Sequence, residues 1–278
     1  MTAVETARHR RIATPARAAF DLRIRSSGRR RRTVRVVCDR VNVSPVISLL
    51  HRPIYTYSQV DRLLGLTSGT ARRWINGYRR GRRIYEPIIR PESRNTTWVT
   101  WGEYVEARLL ANWRDLDNLP IPKLRRLAEY LRRETGDELP LATYSTLMRP
   151  EGRTMVWQAQ QFADLPEDLA VEVSTGQIVW TPVVERLVEA ADFAPDTTPD
   201  GRRMVSELTA DEDFPLIKLD VRRRGGQPVI QGRNIRASTI AELVTAGESR
   251  EDVAEWYDLS AEQIDQAVGY YRRHLRIA

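Results

Sequence analysis

Apolar residues recur at helical spacing on both sides of a glycine turn between Tyr57 and Tyr78. Val60, Leu63 and Leu64 stand at i, i+3 and i+4, so they predict one face of a short helix, with Ser58 as its cap. Gly65 ends that run, and Leu66-Thr67 reads as a turn. A second short helix is expected from Ser68, with Ala71, Trp74 and Ile75 facing inward. Two short helices about a glycine turn describe a helix-turn-helix. Its second helix would turn Thr70, Arg72, Arg73 and Asn76 outward. Arginine reads guanine edges and asparagine reads adenine edges, while Ser, Thr and Arg hold phosphates. An αα-corner inside an enzyme core would show the same spacing. Arg79, Arg80, Arg82 and Arg83, directly after the second helix, weigh against that alternative.

Farther along, Ile84 to Ile89 and Thr97 to Trp101 are β-prone and are joined by Pro91 to Asn95, which predicts a hairpin with a long loop, a candidate wing. Thr100 with Glu103 forms a capping box for a helix whose buried side includes Tyr104, Leu109, Leu110 and Trp113. Pro120-Ile121-Pro122 reads as a loop, and Lys123 to Thr135 as an amphipathic helix closed by Gly136. Leu169 to Val173 and Gln177 to Trp180 predict a hairpin, Pro182 starts a helix, and Phe193 to Gly201 has the composition of a linker. In the last stretch Pro228 to Ile230 and Asn234-Ile235 flank a tight turn. Three capped helices are expected after it, opening at Thr239, Ser249 and Ser260.

Charge sharpens this picture. Residues 1–50 carry 12 arginines against three acids, and residues 51–136 carry 17 basic against nine acidic side chains. Residues 137–213 reverse the sign, with five basic and 16 acidic, and residues 214–278 are nearly balanced at ten and nine. A polyanion at the front and a different partner behind is the simplest reading. The expected organisation is a partly disordered basic arm (1–50), a DNA-binding domain (51–136), an acidic α+β connector with linker (137–213) and a three-helix module (214–278). The fold class expected is mainly α with small β elements. Cys38 is the only cysteine, so no disulfide forms within the chain, consistent with a reducing cytoplasm. Three scattered histidines and one cysteine make no typical zinc site unless carboxylates or a second chain contribute, and no apolar run reaches the roughly 18 residues of a membrane helix. With no nucleophile–base pair and no glycine-rich phosphate loop, neither catalysis nor a cofactor is expected.

The succession YSQVDRLLGLTSGTARRWINGY, an arginine-rich hairpin leading to TWGEYVEARLL, and IPKLRRLAEYL resembles the DNA-binding domain of MerR-like regulators. The resemblance covers residues 55–136. It implies a winged helix-turn-helix that contacts operator DNA through Ser68, Thr70, Arg72, Arg73 and Asn76, and through Arg82 and Arg83 of the wing. The long dimerisation helix and the cysteines of metal-sensing members are missing.

A second resemblance lies in GQPVIQGRNIRASTIAELVTAGESREDVAEWYDLSAEQIDQAVGYY, which is similar to a small domain found in a class of bacterial antitoxins. Gly226, Pro228, Val229, Ile230, Gly232 and the Ala246-Gly247-Glu248-Ser249 junction carry it. Arg233-Asn234 departs from the family's usual Thr-Arg pair. Together the two halves resemble a large VapB-type antitoxin. That implies a homodimer that represses its own operon on double-stranded DNA and neutralises a PIN-domain ribonuclease toxin. Guanidinium groups pair bidentately with carboxylates, so Arg222, Arg223 and Arg224 are the candidates for blocking a carboxylate-lined nuclease site. A stand-alone MerR-like regulator with a ligand- or partner-binding rear half is the alternative.

Overall fold

The structure is a computed structural model describing residues 19–24, 32–37, 48–117, 121–165, 169–197 and 202–274. Most of the basic arm, Cys38, the Trp113 side chain, Pro120 and the end of the expected linker lie outside the described residues. Within the arm, β1 (Ala19–Ile24) and β2 (Arg32–Val37) pair antiparallel, with Ala19 opposite Val37.

Residues 47–278 form a separate unit. It opens with β3 (Pro53–Thr56), α1 (Tyr57–Leu63), α2 (Thr70–Asn76), β4 (Tyr78–Arg80), β5 (Arg83–Tyr85) and β6 (Trp98–Thr100). The helices α3 (Trp101–Asp117), α4 (Ile121–Thr135), α5 (Tyr144–Met148) and α6 (Pro150–Phe162) follow. Next come β7 (Ala170–Glu172), β8 (Ile178–Trp180), α7 (Pro182–Glu189), β9 (Ala191–Pro195), β10 (Arg203–Thr209), β11 (Ile217–Asp220) and β12 (Pro228–Ile230). The chain closes with α8 (Ala237–Ala246), α9 (Arg250–Tyr257) and α10 (Ala261–His274). The fold is mainly helical with small sheets, as the patterning requires.

Helix α3 is the axis of this unit. Every residue from Trp101 to Ala111 is buried, because the helix is covered on all sides rather than on one stripe. Its Trp101 indole donates to the Val205 carbonyl on β10 (2.6 Å), and Arg108 donates to the Ala210 carbonyl (3.2 Å). The sheet that covers it has the strand order β12-β11-β10-β9, all antiparallel. This sheet pairs strands from the acidic stretch with strands of the last module, and Tyr55 on β3 donates its hydroxyl to the Gly226 carbonyl.

Several expectations need correction. Phe193 to Pro195 is strand, not linker: β9 pairs with β10 and places Phe193 opposite Val205. Helix α8 begins at Ala237, two residues before Thr239. Helices α5 and α6 are absent from the expectation. The two approach each other closely: a Cβ on Gly152 would stand 2.4 Å from the Ser145 carbonyl. The capping boxes at Thr100/Glu103 and Ser260/Gln263 are formed as expected, as are the Ser249 cap, the β7–β8 pair and the Gly247 stop of α8.

One buried carboxyl sets a pH dependence. Burial pushes Glu106 from 4.5 up to about 7, against the pull of Arg132, whose guanidinium lies 3.8 Å away. Between those values the folded chain holds a proton that the unfolded chain has released, so stability falls as pH rises through that window and levels off above it. Glu106→Gln should remove its share of the fall. Urea denaturation at pH 5 and pH 8 checks this: wild type should lose on the order of 2–3 kcal/mol more than the variant between the two pH values. Equal losses would contradict the assignment.

Candidate nucleic-acid interface

Helix α1 is capped by Thr56, not Ser58. Gln59 N–H donates to Thr56 Oγ1 (3.4 Å), and the Gln59 side chain accepts from Thr56 N–H (2.8 Å). Val60, Leu63 and Leu66 are buried with Ala71, Trp74 and Ile75 of α2, so the apolar spacing locates the helix pair correctly. A buried acid completes it. Asp61 accepts from the N–H groups of Gly69 and Ala71, both at 2.7 Å, so one helix caps the next. A carboxylate there also suits the positive end of α2.

On α2, Ser68, Arg72 and Arg73 are exposed at or near its start and along its outer face. Thr70 is not outward: it is buried, and its hydroxyl meets Thr67 (2.9 Å) and accepts from Arg73 (2.8 Å). Asn76 is half-buried. Its Oδ1 accepts from Arg90 Nη1 and from Arg94 N–H, each at 2.7 Å. A bidentate contact to adenine needs that same oxygen, so the expected base-reading role is not available in this arrangement.

The expected hairpin is also re-paired. Residues 78–80 pair with 83–85 about a turn at Gly81-Arg82, and β6 pairs with β3 instead. Ile88 and Ile89, β-branched and so β-prone, are buried outside any strand, and both donate their N–H to the Trp74 carbonyl. Gly77 makes the tight exit from α2 possible: its φ is +69°, and a Cβ would stand 2.5 Å from the Tyr85 carbonyl. The result is a short hairpin with Arg79, Arg80, Arg82 and Arg83 all exposed. Tyr78 and Tyr85 stack across it at 4.5 Å, and the Arg83 guanidinium lies 5.1 Å above the Tyr85 ring.

Behind this face sits a residue whose role the sequence pattern does not reveal. Arg90 is 2% exposed and pairs with Glu103 through Nε (2.6 Å) and Nη2 (3.0 Å). Its other three N–H groups go to the Tyr57 hydroxyl (2.8 Å), Asn76 Oδ1 (2.7 Å) and the Trp98 carbonyl (2.8 Å). All five guanidinium donors are therefore used, and α1, α2, β6 and α3 are tied together at one point. Beside it, Tyr57, Arg72, Asn76, Arg94 and Trp98 line an open cleft of about 510 Å³. Among the described residues no group of acids, histidines or cysteines is placed to hold a metal, and no helix is long and apolar enough to cross a membrane.

The rear arginines are partly occupied. Asp220 is fully buried and accepts from Arg222 through Nε (3.0 Å) and Nη2 (3.2 Å), and Arg223 Nε lies 3.3 Å from the same carboxylate. Arg224 is exposed, and its Nε donates to the Asn234 carbonyl (2.9 Å).

Residues 217–271, from β11 into α10, match a family described as a protein of unknown function (DUF433). Over 233 residues the chain is 39% identical to the uncharacterized protein Rv2308 of Mycobacterium tuberculosis, covering 82% of this chain and 94% of that one. The chain belongs to the family of Rv2308. It is also 26% identical, over 78% of its length and 92% of the other's, to a protein of the same organism named "Putative antitoxin VapB45". The crystal structure of Rv2018 from Mycobacterium tuberculosis shares the fold, with a TM-score of 0.61 and 24% identity over 78% of this chain and 97% of that one.

Proposed function

We propose that the chain is a cytoplasmic, non-enzymatic, homodimeric antitoxin of a type II toxin-antitoxin pair. In this reading it represses its own operon and neutralises a PIN-domain ribonuclease. The observation that carries the DNA-binding half is one basic face: Arg72 and Arg73 exposed on α2, next to a hairpin with four exposed arginines. We read α1, α2 and the hairpin as a MerR-like winged helix-turn-helix, with α2 in the major groove and the hairpin along the backbone. Arginines on the backbone release counterions and supply affinity, whereas those at base edges supply specificity. The similarity to a protein named as an antitoxin supports the pairing with a toxin.

On the toxin side, Arg222 and Arg223 are held by Asp220, so Arg224 is the arginine best placed to meet a partner's carboxylates. Cutting the chain at residue 214 would separate β11 from β10. The nuclease assay therefore uses the full chain, and Arg224→Ala should weaken inhibition while leaving the fold intact.

The DNA reading is tested by two single variants. Arg73→Ala should cost on the order of 1–3 kcal/mol on the operator and relax its specificity. Arg82→Ala should weaken all sequences alike and lower the salt slope by about one unit. Operator affinities equal to wild type for both would remove the assignment of this face.

A further inference from the structure

A second cleft, of about 350 Å³, lies where the end of α1 meets α3, the turn between β10 and β11, and the end of α10. Leu63, Leu64 and Ala111 form an apolar wall, and Arg108 and Asn112 supply polar groups one helical turn apart on α3. Arg108 is only 8% exposed. Its Nη1 donates to the Ala210 carbonyl (3.2 Å), and among the described residues no carboxylate pairs with it.

The acids around the cleft already have other partners. Asp211 meets His274 (2.6 Å) and Arg273 (3.4 Å), Asp213 meets Arg273 (2.5 Å), and Glu212 meets Arg186 (3.7 Å). A guanidinium removed from water without an anion is costly, so the cleft lacks a negative charge at Arg108. Asp211 and Glu212 repel any anion here and a dianion twice as strongly, so a single carboxylate, which matches one guanidinium in charge and fork geometry, is the better fit.

We infer that this cleft binds a small organic carboxylate. Its carboxylate pairs with Arg108, Asn112 donates its side-chain amide to it, and its apolar part lies on Leu63, Leu64 and Ala111. The site is independent of the DNA-binding reading.

The test uses the full chain with benzoate and hexanoate as probes, and sodium chloride at equal ionic strength as control. Thermal melting should show a saturable rise of several degrees with the carboxylates and none with chloride. Arg108→Met should abolish the rise, and by calorimetry raise the dissociation constant at least tenfold. Without ligand this variant should melt within a few degrees of wild type, because removing a buried charge with no carboxylate partner offsets the loss of its bond to the Ala210 carbonyl. Asn112→Leu, at the half-exposed rim, should weaken binding several-fold with an unchanged melting point. No saturable rise in wild type, an equal rise in Arg108→Met, or a melting point for that variant well below wild type would overturn the site.

Discussion

Arg90→Met should destabilise the protein by about 3–5 kcal/mol, the range expected when one partner of a buried ion pair is removed. The side chain is 2% exposed and its partner Glu103 is 1% exposed, so the loss leaves a carboxylate in the core. Glu103 keeps its bond from the Thr100 N–H (2.8 Å) and a distant contact with Arg94 Nη1 (3.9 Å) but loses both Arg90 bonds. The damage would spread, because the Tyr57 hydroxyl, Asn76 and the Trp98 carbonyl lose the same donor group. Equilibrium urea denaturation measures the effect. The double variant Arg90→Met/Glu103→Gln should recover part of the loss, since it removes the orphaned charge. A single variant within about 0.5 kcal/mol of wild type, as for an ordinary surface change, would mean that this pair does not organise the helix pair.

Replacing Arg79, Arg80, Arg82 and Arg83 together by alanine should lower DNA affinity by roughly two to four orders of magnitude at about 0.1 M salt. Each phosphate that is no longer neutralised takes about 0.9 off the slope of log affinity against log salt, so the slope should fall by about three to four units. All four side chains are exposed, and among the described residues their internal contacts are one hydrogen bond from Arg79 Nε to the Gly81 carbonyl (3.0 Å) and the Arg83 guanidinium over the Tyr85 ring. The melting temperature should therefore stay near that of wild type. Fluorescence anisotropy across a salt series gives both numbers. A variant with an unchanged slope would show that the hairpin lies off the DNA, whatever α2 does.

The sequence made the helix pair legible because Val60, Leu63, Ala71, Trp74 and Ile75 repeat at helical period and all face the core. Two capping boxes were legible for the same local reason, since Thr100/Glu103 and Ser260/Gln263 bond to backbone three residues away, but the caps read at Ser58 and Thr239 fall two and three residues late. Pairing partners were not legible. Ile84 to Ile89 and Thr97 to Trp101 look like one hairpin because β-branched and buried residues share a composition. Gly77 and Gly81 redirect the chain into a shorter hairpin, and β6 finds β3, which lies far back in the sequence. Long-range polar contacts were hidden altogether. Asp61 caps a helix eight to ten residues on, and Arg90 reads in the sequence as one more cation in a basic stretch. Thr70 shows the limit of the helical wheel: it sits at the very start of α2, where its hydroxyl serves the turn before it.

The most direct measurement of the central claim is a nuclease footprint of the full chain on the DNA upstream of its own coding sequence, at physiological salt. The account predicts protection of a near-palindromic site whose half-site centres lie about one helical turn, or a multiple, apart, by a dimer that Arg73→Ala weakens. Protection no different from that on unrelated duplex, or a monomer on a single asymmetric half-site, would contradict it.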